Sequence, residues 1–139
     1  MSRRGPRSAG RGPTGGGADV RELLTEALTV PGVVAAAVIN GDGDLLGADQ
    51  HEEPGFAEAG SLLAAALAAS SVLAESLGGG LGQAVLEYRS GPVLLALAPQ
   101  PPETPTRDRR VLALRLRTLA DLGRARFELP RLLTRVATT

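Results

Sequence analysis

Ala57 to Leu77 reads as a helix with almost no polar side. Between Ala59 and Ala74 its only polar side chains are Ser61, Ser70 and Ser71, and Glu75 is the first charge after Glu58. A surface helix carries one apolar stripe, whereas a helix that is apolar all round has to be covered all round. At the usual rise per residue it runs about 30 Å, the width of a small domain. A chain of 139 residues has room for one domain with one core. A sheet can cover one face of this helix. The other face needs a second surface, most simply a second copy of the chain.

The composition narrows the chemistry. With two Phe, one Tyr and no Trp, the core falls to Leu, Val and Ala, which bury less area each, so burial between subunits gains weight. All fifteen basic residues other than His51 are Arg. Without Lys there is no Walker-type phosphate loop, no Schiff base and no Ser–Lys dyad. Without Cys there is no thiol nucleophile, disulfide or cysteine zinc site. No apolar run has the length and flanks of a membrane span, and no signal-peptide core follows the first arginines. The expectation is a cytoplasmic protein without a membrane span. Charge is balanced overall but unevenly placed. Residues 19–106 hold twelve acids against Arg21 and Arg89, while residues 107–139 hold nine Arg against Asp108, Asp121 and Glu128. Such a chain can bind itself or an acidic surface, or simply carry a solvated basic helix.

Along the chain, residues 1–18 are Gly, Pro, Arg and Ser without a hydrophobic cluster and read as a disordered tail. Four arginines without an aromatic make a nucleic-acid role a poor fit. Asp19, with Glu22 behind it, reads as the cap of a first helix whose stripe is Val20, Leu23, Leu24, Ala27 and Leu28. Pro31-Gly32 stops it. Val33 to Ile39 is a short β-branched run expected to be a strand buried on both faces. Asn40-Gly41-Asp42-Gly43 is a hairpin signal, and Leu45 to Asp49 the returning strand. Beyond the apolar helix, Gly78-Gly79-Gly80 breaks the chain. Gln83 to Arg89 and Pro92 to Ala98 then read as two strands, with a Pro-rich loop over Pro99 to Pro105. Residues 107–123 fit two periods. Leu112, Leu114 and Leu116 alternate as in a strand, whereas Leu112, Leu116, Leu119, Ala120 and Gly123 follow helical spacing. Length and the lack of β-branched aliphatic residues after Val111 favour helix. Pro130 interrupts the last stretch, so 124–139 reads as an arm or a frayed helix. The order α-β-β-α-β-β-α describes an α/β fold, an antiparallel sheet of four to five strands sandwiched by helices, with the domain spanning 19–123.

The segments LLTEALTVPGVVAAAVINGDGDLLGAD, PVLLALAP and VLALRLRTLADL, with the Ala-rich helix between them, resemble the roadblock (dynein light-chain) family and its bacterial MglB-type members. The resemblance covers roughly Val20 to Leu122. It implies a roadblock/profilin-like sheet flanked by helices. It also implies homodimers in which the second helix and a sheet edge meet their twins, and binding of a small Ras-like GTPase as activator or adaptor. The family has three strands between its last two helices, and the residues here give two.

No catalytic constellation emerges. Asn40 to Asp44 opens like a calcium loop, but Leu45 stands where glycine is required and His51 where an acid is required, so it reads as a turn. Gly78 to Gly82 lacks the Lys and Ser/Thr of a phosphate loop and reads as a helix stop. His51 lies among acids without a nucleophile elbow and reads as a surface histidine. No cofactor or metal is expected. The candidate dimer interface is Leu62, Leu63, Ala66, Leu67, Ser70, Leu73 and Leu77 on the helix, with Leu86 and Tyr88 on the following strand. Arg109, Arg115 and Arg117 are candidates for contacting a partner, since an arginine supplied in trans can stabilise phosphoryl-transfer charge. The expected function is a homodimeric regulator of a small GTPase. A dimeric scaffold of the same fold is the alternative, and a hydrolase built around His51 finds no support in the residues.

Overall fold

A five-stranded antiparallel sheet runs through the middle of the molecule, with helices on both faces. The computed structural model describes residues 16–139. In chain order the elements are α1 (Gly16–Ala27), β1 (Val33–Asn40), β2 (Leu45–Gln50), α2 (Gly60–Ser76), β3 (Gln83–Tyr88), β4 (Gly91–Leu97), β5 (Arg110–Leu116) and α3 (Leu122–Ala137). The strands lie in the order β2-β1-β5-β4-β3, which puts β5 at the centre and leaves β2 and β3 as edges.

The stripe of α1 is the expected one, with Val20, Leu23, Leu24, Ala27 and Leu28 all buried. The start of the helix is not. It begins at Gly16, so Asp19 sits within the first turn instead of capping it. There its carboxylate still favours the positive end of the helix dipole. The tail reading for residues 1–15 lies outside the described residues, and 16–18 belong to α1.

All eight positions of β1 are buried. Because successive side chains alternate across a strand, Ala35, Ala37 and Ile39 join the layer beneath α2. Ala36 and Val38 join the layer beneath α1 and α3. At the hairpin, buried Asn40 organises the turn. Its Oδ1 accepts the backbone N–H of Asp42 (3.0 Å) and Asp44 (2.9 Å), and its Nδ2 donates to the Asp44 carboxylate (3.0 Å). The residues that begin like a calcium loop thus build an Asx-type turn. Helix α2 starts directly on this turn. A Cβ at Gly60 would lie 2.3 Å from the Gly43 carbonyl oxygen, an approach only glycine permits.

Residues 107–123 are the main departure from the sequence reading. Arg110–Leu116 is a strand, with Leu112, Leu114 and Leu116 on the α1/α3 face and Val111 and Ala113 on the α2 face. This is the third strand between the last two helices, and the observed order is α-β-β-α-β-β-β-α. The alternation of Leu with smaller or charged residues reports a sheet position buried between β1 and β4, where pairing on both sides overrides modest β propensity.

Of the two readings of 124–139, an arm or a frayed helix, the residues take the helix, and it is packed along its length. Residues 122–137 form one helix, and Ala125, Leu129, Leu132 and Val136 are buried against the sheet at helical spacing. Pro130 lies inside it on the exposed side, so its missing N–H is absorbed at the solvent face while the buried stripe runs past it. Arg131 and Arg135 of α3 both pair with Glu26 of α1. Arg131 also pairs with Glu128 at 2.7 Å. Part of the basic C-terminal third is therefore matched within the chain's own acidic body.

Candidate partner-binding surface

Helix α2 covers only part of its sheet face. Gly60, Leu63 and Leu67 point into the core, and among the described residues nothing covers the opposite side of the helix. Leu62 is 71% exposed, Val72 65%, Leu73 60% and Leu77 79%. At 100° per residue, Leu62, Ala66, Ala69, Leu73 and Leu77 fall on one flank, the flank turned towards β3. Exposed apolar residues scattered singly are ordinary, but a contiguous run on one helix flank marks an interaction site.

The sheet side of this flank is apolar too. In β3, Ala84, Leu86 and Tyr88 face the α2 layer, opposite Leu95, Val93 and Gly91 of β4. Tyr88 is 54% exposed. A groove of about 260 Å³ runs between the N-terminal half of α2 and these strands, walled by Phe56, Leu62, Ala66, Leu86, Tyr88 and Arg115. Among the described residues strand β3 pairs with β4 alone, which leaves its outer row of backbone N–H and C=O groups open.

The candidate interface residues therefore divide. Leu62, Ala66, Leu73, Leu77, Leu86 and Tyr88 lie on the groove or the open flank. Leu63 and Leu67 are core residues of their own chain, 7% and 8% exposed, and Leu63 also lines the floor of the groove. Ser70 is half-buried and returns its hydroxyl to the Ala66 carbonyl at 2.9 Å. Val72 is an exposed apolar residue that the sequence reading does not single out. On a helix without polar markers, periodicity alone does not say which side is out.

The three arginines divide as well. Arg109 donates to the carbonyls of Thr104 (3.1 Å) and Pro102 (3.0 Å) and so ties down the Pro-rich loop. Arg117 pairs with Glu52. Arg115, half-exposed on the α2 face, makes one long bond of 3.4 Å to the Ser90 carbonyl, and its Nη1 is buried without an acceptor among the described residues. Only Arg115 touches the groove. His51 donates through Nε2 to the Leu28 carbonyl at 2.8 Å, fastening β2 to the end of α1.

Hydrogen bonding from Arg117 holds the Glu52 carboxyl below its usual range, with the Arg115 and His51 charges acting in the same sense. A lowered folded-state value means that the pair's contribution is present above the unfolded value and fades as pH falls through the folded one. Both partners are exposed, so the contribution is small. Glu52→Gln is expected to shift the melting temperature by no more than about 2 °C at neutral pH. The gap to wild type should close in acid, and a gap that widened there would contradict this assignment.

No family model matches the chain, and no curated protein matches it in sequence. Its architecture is nevertheless a recognised one: an antiparallel sheet of five strands, one helix on one face and two on the other, in the order of the roadblock/LC7 fold. Within that class the fold is of the bacterial MglB type. The gliding protein MglB from Thermus thermophilus superposes with a TM-score of 0.74 at 20% identity, covering 91% of each chain. An MglB with a tetrameric arrangement gives 0.75 at 21% identity, over 91% of this chain and 90% of that one. A roadblock/LC7 domain from Streptomyces avermitilis gives 0.56 at 21%, over 81% and 90%. No helix among the described residues is long and apolar enough to cross a membrane.

Proposed function

We propose that this chain is a homodimeric regulator that binds a small Ras-like GTPase and has no catalytic site of its own. The observation that carries the reading is the uncovered apolar flank of α2 beside the groove and the open edge of β3. A hydrophobic strip next to an unpaired strand supplies both halves of a self-complementary contact, side-chain burial and backbone pairing. The tetrameric arrangement of the similar MglB agrees with self-association, and the GTPase follows from the family resemblance.

Between activator and adaptor, the arginines favour adaptor. Two of the three candidates, Arg109 and Arg117, are engaged in contacts within the chain, and an activating arginine must be free to reach the transferred phosphate. A dimeric scaffold without a GTPase is the second reading, favoured by the same loss of free arginines. The test is affinity capture from the native lysate with GDP or a non-hydrolysable GTP analogue. A small GTPase retained with the analogue and lost with GDP is the expected result. Dimers that retain no GTPase in either state would leave the scaffold.

A further inference from the structure

We propose that Arg115 is a trans cap: its guanidinium engages the C-terminal end of α2 in a second copy of this chain. The inference rests on the homodimer reading above and specifies a contact within it.

The groove and the exposed knobs occupy opposite ends of the same helix flank. Ala59, Leu62 and Ala66, in and just before the first half of α2, wall the groove, while Leu73 and Leu77, at its far end, project without cover. The occupant that fits is therefore a second copy. A two-fold axis across the helix sets the two α2 helices antiparallel and seats Leu73 and Leu77 of each copy in the groove of the other. A parallel pairing would set groove against groove and leucine against leucine, leaving both grooves unfilled.

Charge complementarity points the same way. The groove holds Arg115, whose head group has one long hydrogen bond and one buried nitrogen without an acceptor. A guanidinium has five donors, and leaving them unpaired away from water is costly. The nearby acid, Glu52, is already engaged by Arg117. Helix α2, for its part, ends without a basic residue in its last turn, so the negative end of its dipole has no local cation. The carbonyls of Leu73, Ala74 and Glu75 are bonded by the N–H groups of Leu77, Gly78 and Gly79. The next carbonyls, at Ser76 and Leu77, head into the glycine run. A Cβ at Gly78, Gly79 or Gly80 would touch nothing within 4 Å, so this end stands clear of its own fold and is unshielded by side chains. Antiparallel pairing brings it to the groove, where rotation of the terminal torsions of half-exposed Arg115 turns the guanidinium onto its carbonyls.

The chain has no cysteine among its 139 residues, so engineered thiols report contacts cleanly. Chains carrying Gly79→Cys are mixed with chains carrying Ser90→Cys and oxidised gently. A mixed disulfide is expected, since Ser90 borders Arg115 in the groove and Gly79 follows the helix end. In parallel, Arg115→Met is expected to raise the dimer dissociation constant about thirtyfold, each dimer holding two such contacts. Arg115→Lys should recover part of that loss. Disulfides formed only between Gly79→Cys chains would show the helix ends meeting each other and would overturn the proposal while sparing the dimer. So would an unchanged dissociation constant in folded Arg115→Met. If that variant fails to fold, the thiol pair decides. A wild-type chain that sediments as a monomer at every concentration would remove the homodimer reading itself.

Discussion

Ala66→Arg is expected to leave a folded chain that no longer self-associates. Ala66 is half-buried at the groove, on the flank shared by Leu62, Leu73 and Leu77. An arginine there fills the groove and places a charge against an apolar surface. Burying it unpaired in a dimer costs several kcal/mol, so the dissociation constant should rise at least about a hundredfold. In the monomer the same side chain reaches water, and the core beneath, built on Leu63 and Leu67, is untouched. Circular dichroism and melting temperature should therefore stay near wild type while sedimentation velocity shifts to the monomer. Ala68→Arg is the control. Ala68 lies on the other flank of α2, beside Ala64, Ser71 and Arg109, and its variant should remain dimeric. A native dimer that survives Ala66→Arg would mean that the apolar flank is not the interface.

Gly91→Ala is expected to be among the most damaging single-methyl changes in the chain. Gly91 opens β4 with φ at 122°, a conformation that a side chain strains by about 1–2 kcal/mol. Its Cβ would also lie 2.3 Å from the Leu116 carbonyl oxygen and 3.0 Å from that of Arg117. These are backbone atoms at the end of the central strand and just past it, and they cannot swing aside, so overpacking adds a further loss of about 1–3 kcal/mol. The sum, about 2–5 kcal/mol, is a large share of a small domain's stability. Two other glycines separate the contributions. Gly78 has φ at 89° but open space around it, so Gly78→Ala should show the strain alone. Gly79 has neither, and Gly79→Ala should be close to neutral. Urea unfolding of the three variants tests the ranking, and equal losses at all three positions would contradict it.

Much of this fold is legible in the residues because most elements carry a single signal. The α1 stripe and the Val33–Ile39 run each have one reading, the Asn-Gly turn fails its calcium-loop alternative at Leu45 and His51, and each stands where its reading puts it. The departure falls at 107–123, where Leu112 and Leu116 belong to both a two-residue and a four-residue period. There Thr118 and Asp121 hold the decisive signal. The Asp121 carboxylate accepts the backbone N–H and hydroxyl of Thr118, both at 3.0 Å, marking a helix start after the strand. Pro130 misleads for a different reason. A proline on the exposed face of a helix whose other face is buried loses one hydrogen bond, which burial of Leu129 and Leu132 outweighs. The candidate surface is legible as a helix but not as a face. Leu63 and Leu62 are chemically identical neighbours, and only the sheet beneath α2 tells which one it owns. Arg115 stands out in the sequence, but its acceptor-less nitrogen is a property of three dimensions.

The strand at the centre of the sheet, β5, is the last of the five to be made. During synthesis β1 leaves the ribosome early, apolar on both sides, and its inner neighbour β5 is still to come, with Val38 destined to lie opposite Leu112. Until then the half-built sheet has an unpaired interior edge, and α1 lacks the α3 arginines that meet Glu26. Long-range pairing of this kind slows folding and prolongs the exposure of sticky strands. A ribosome stalled just before Arg110 should therefore hold a nascent chain that proteases cut freely. Protection should arrive in one step, only after α3 has emerged.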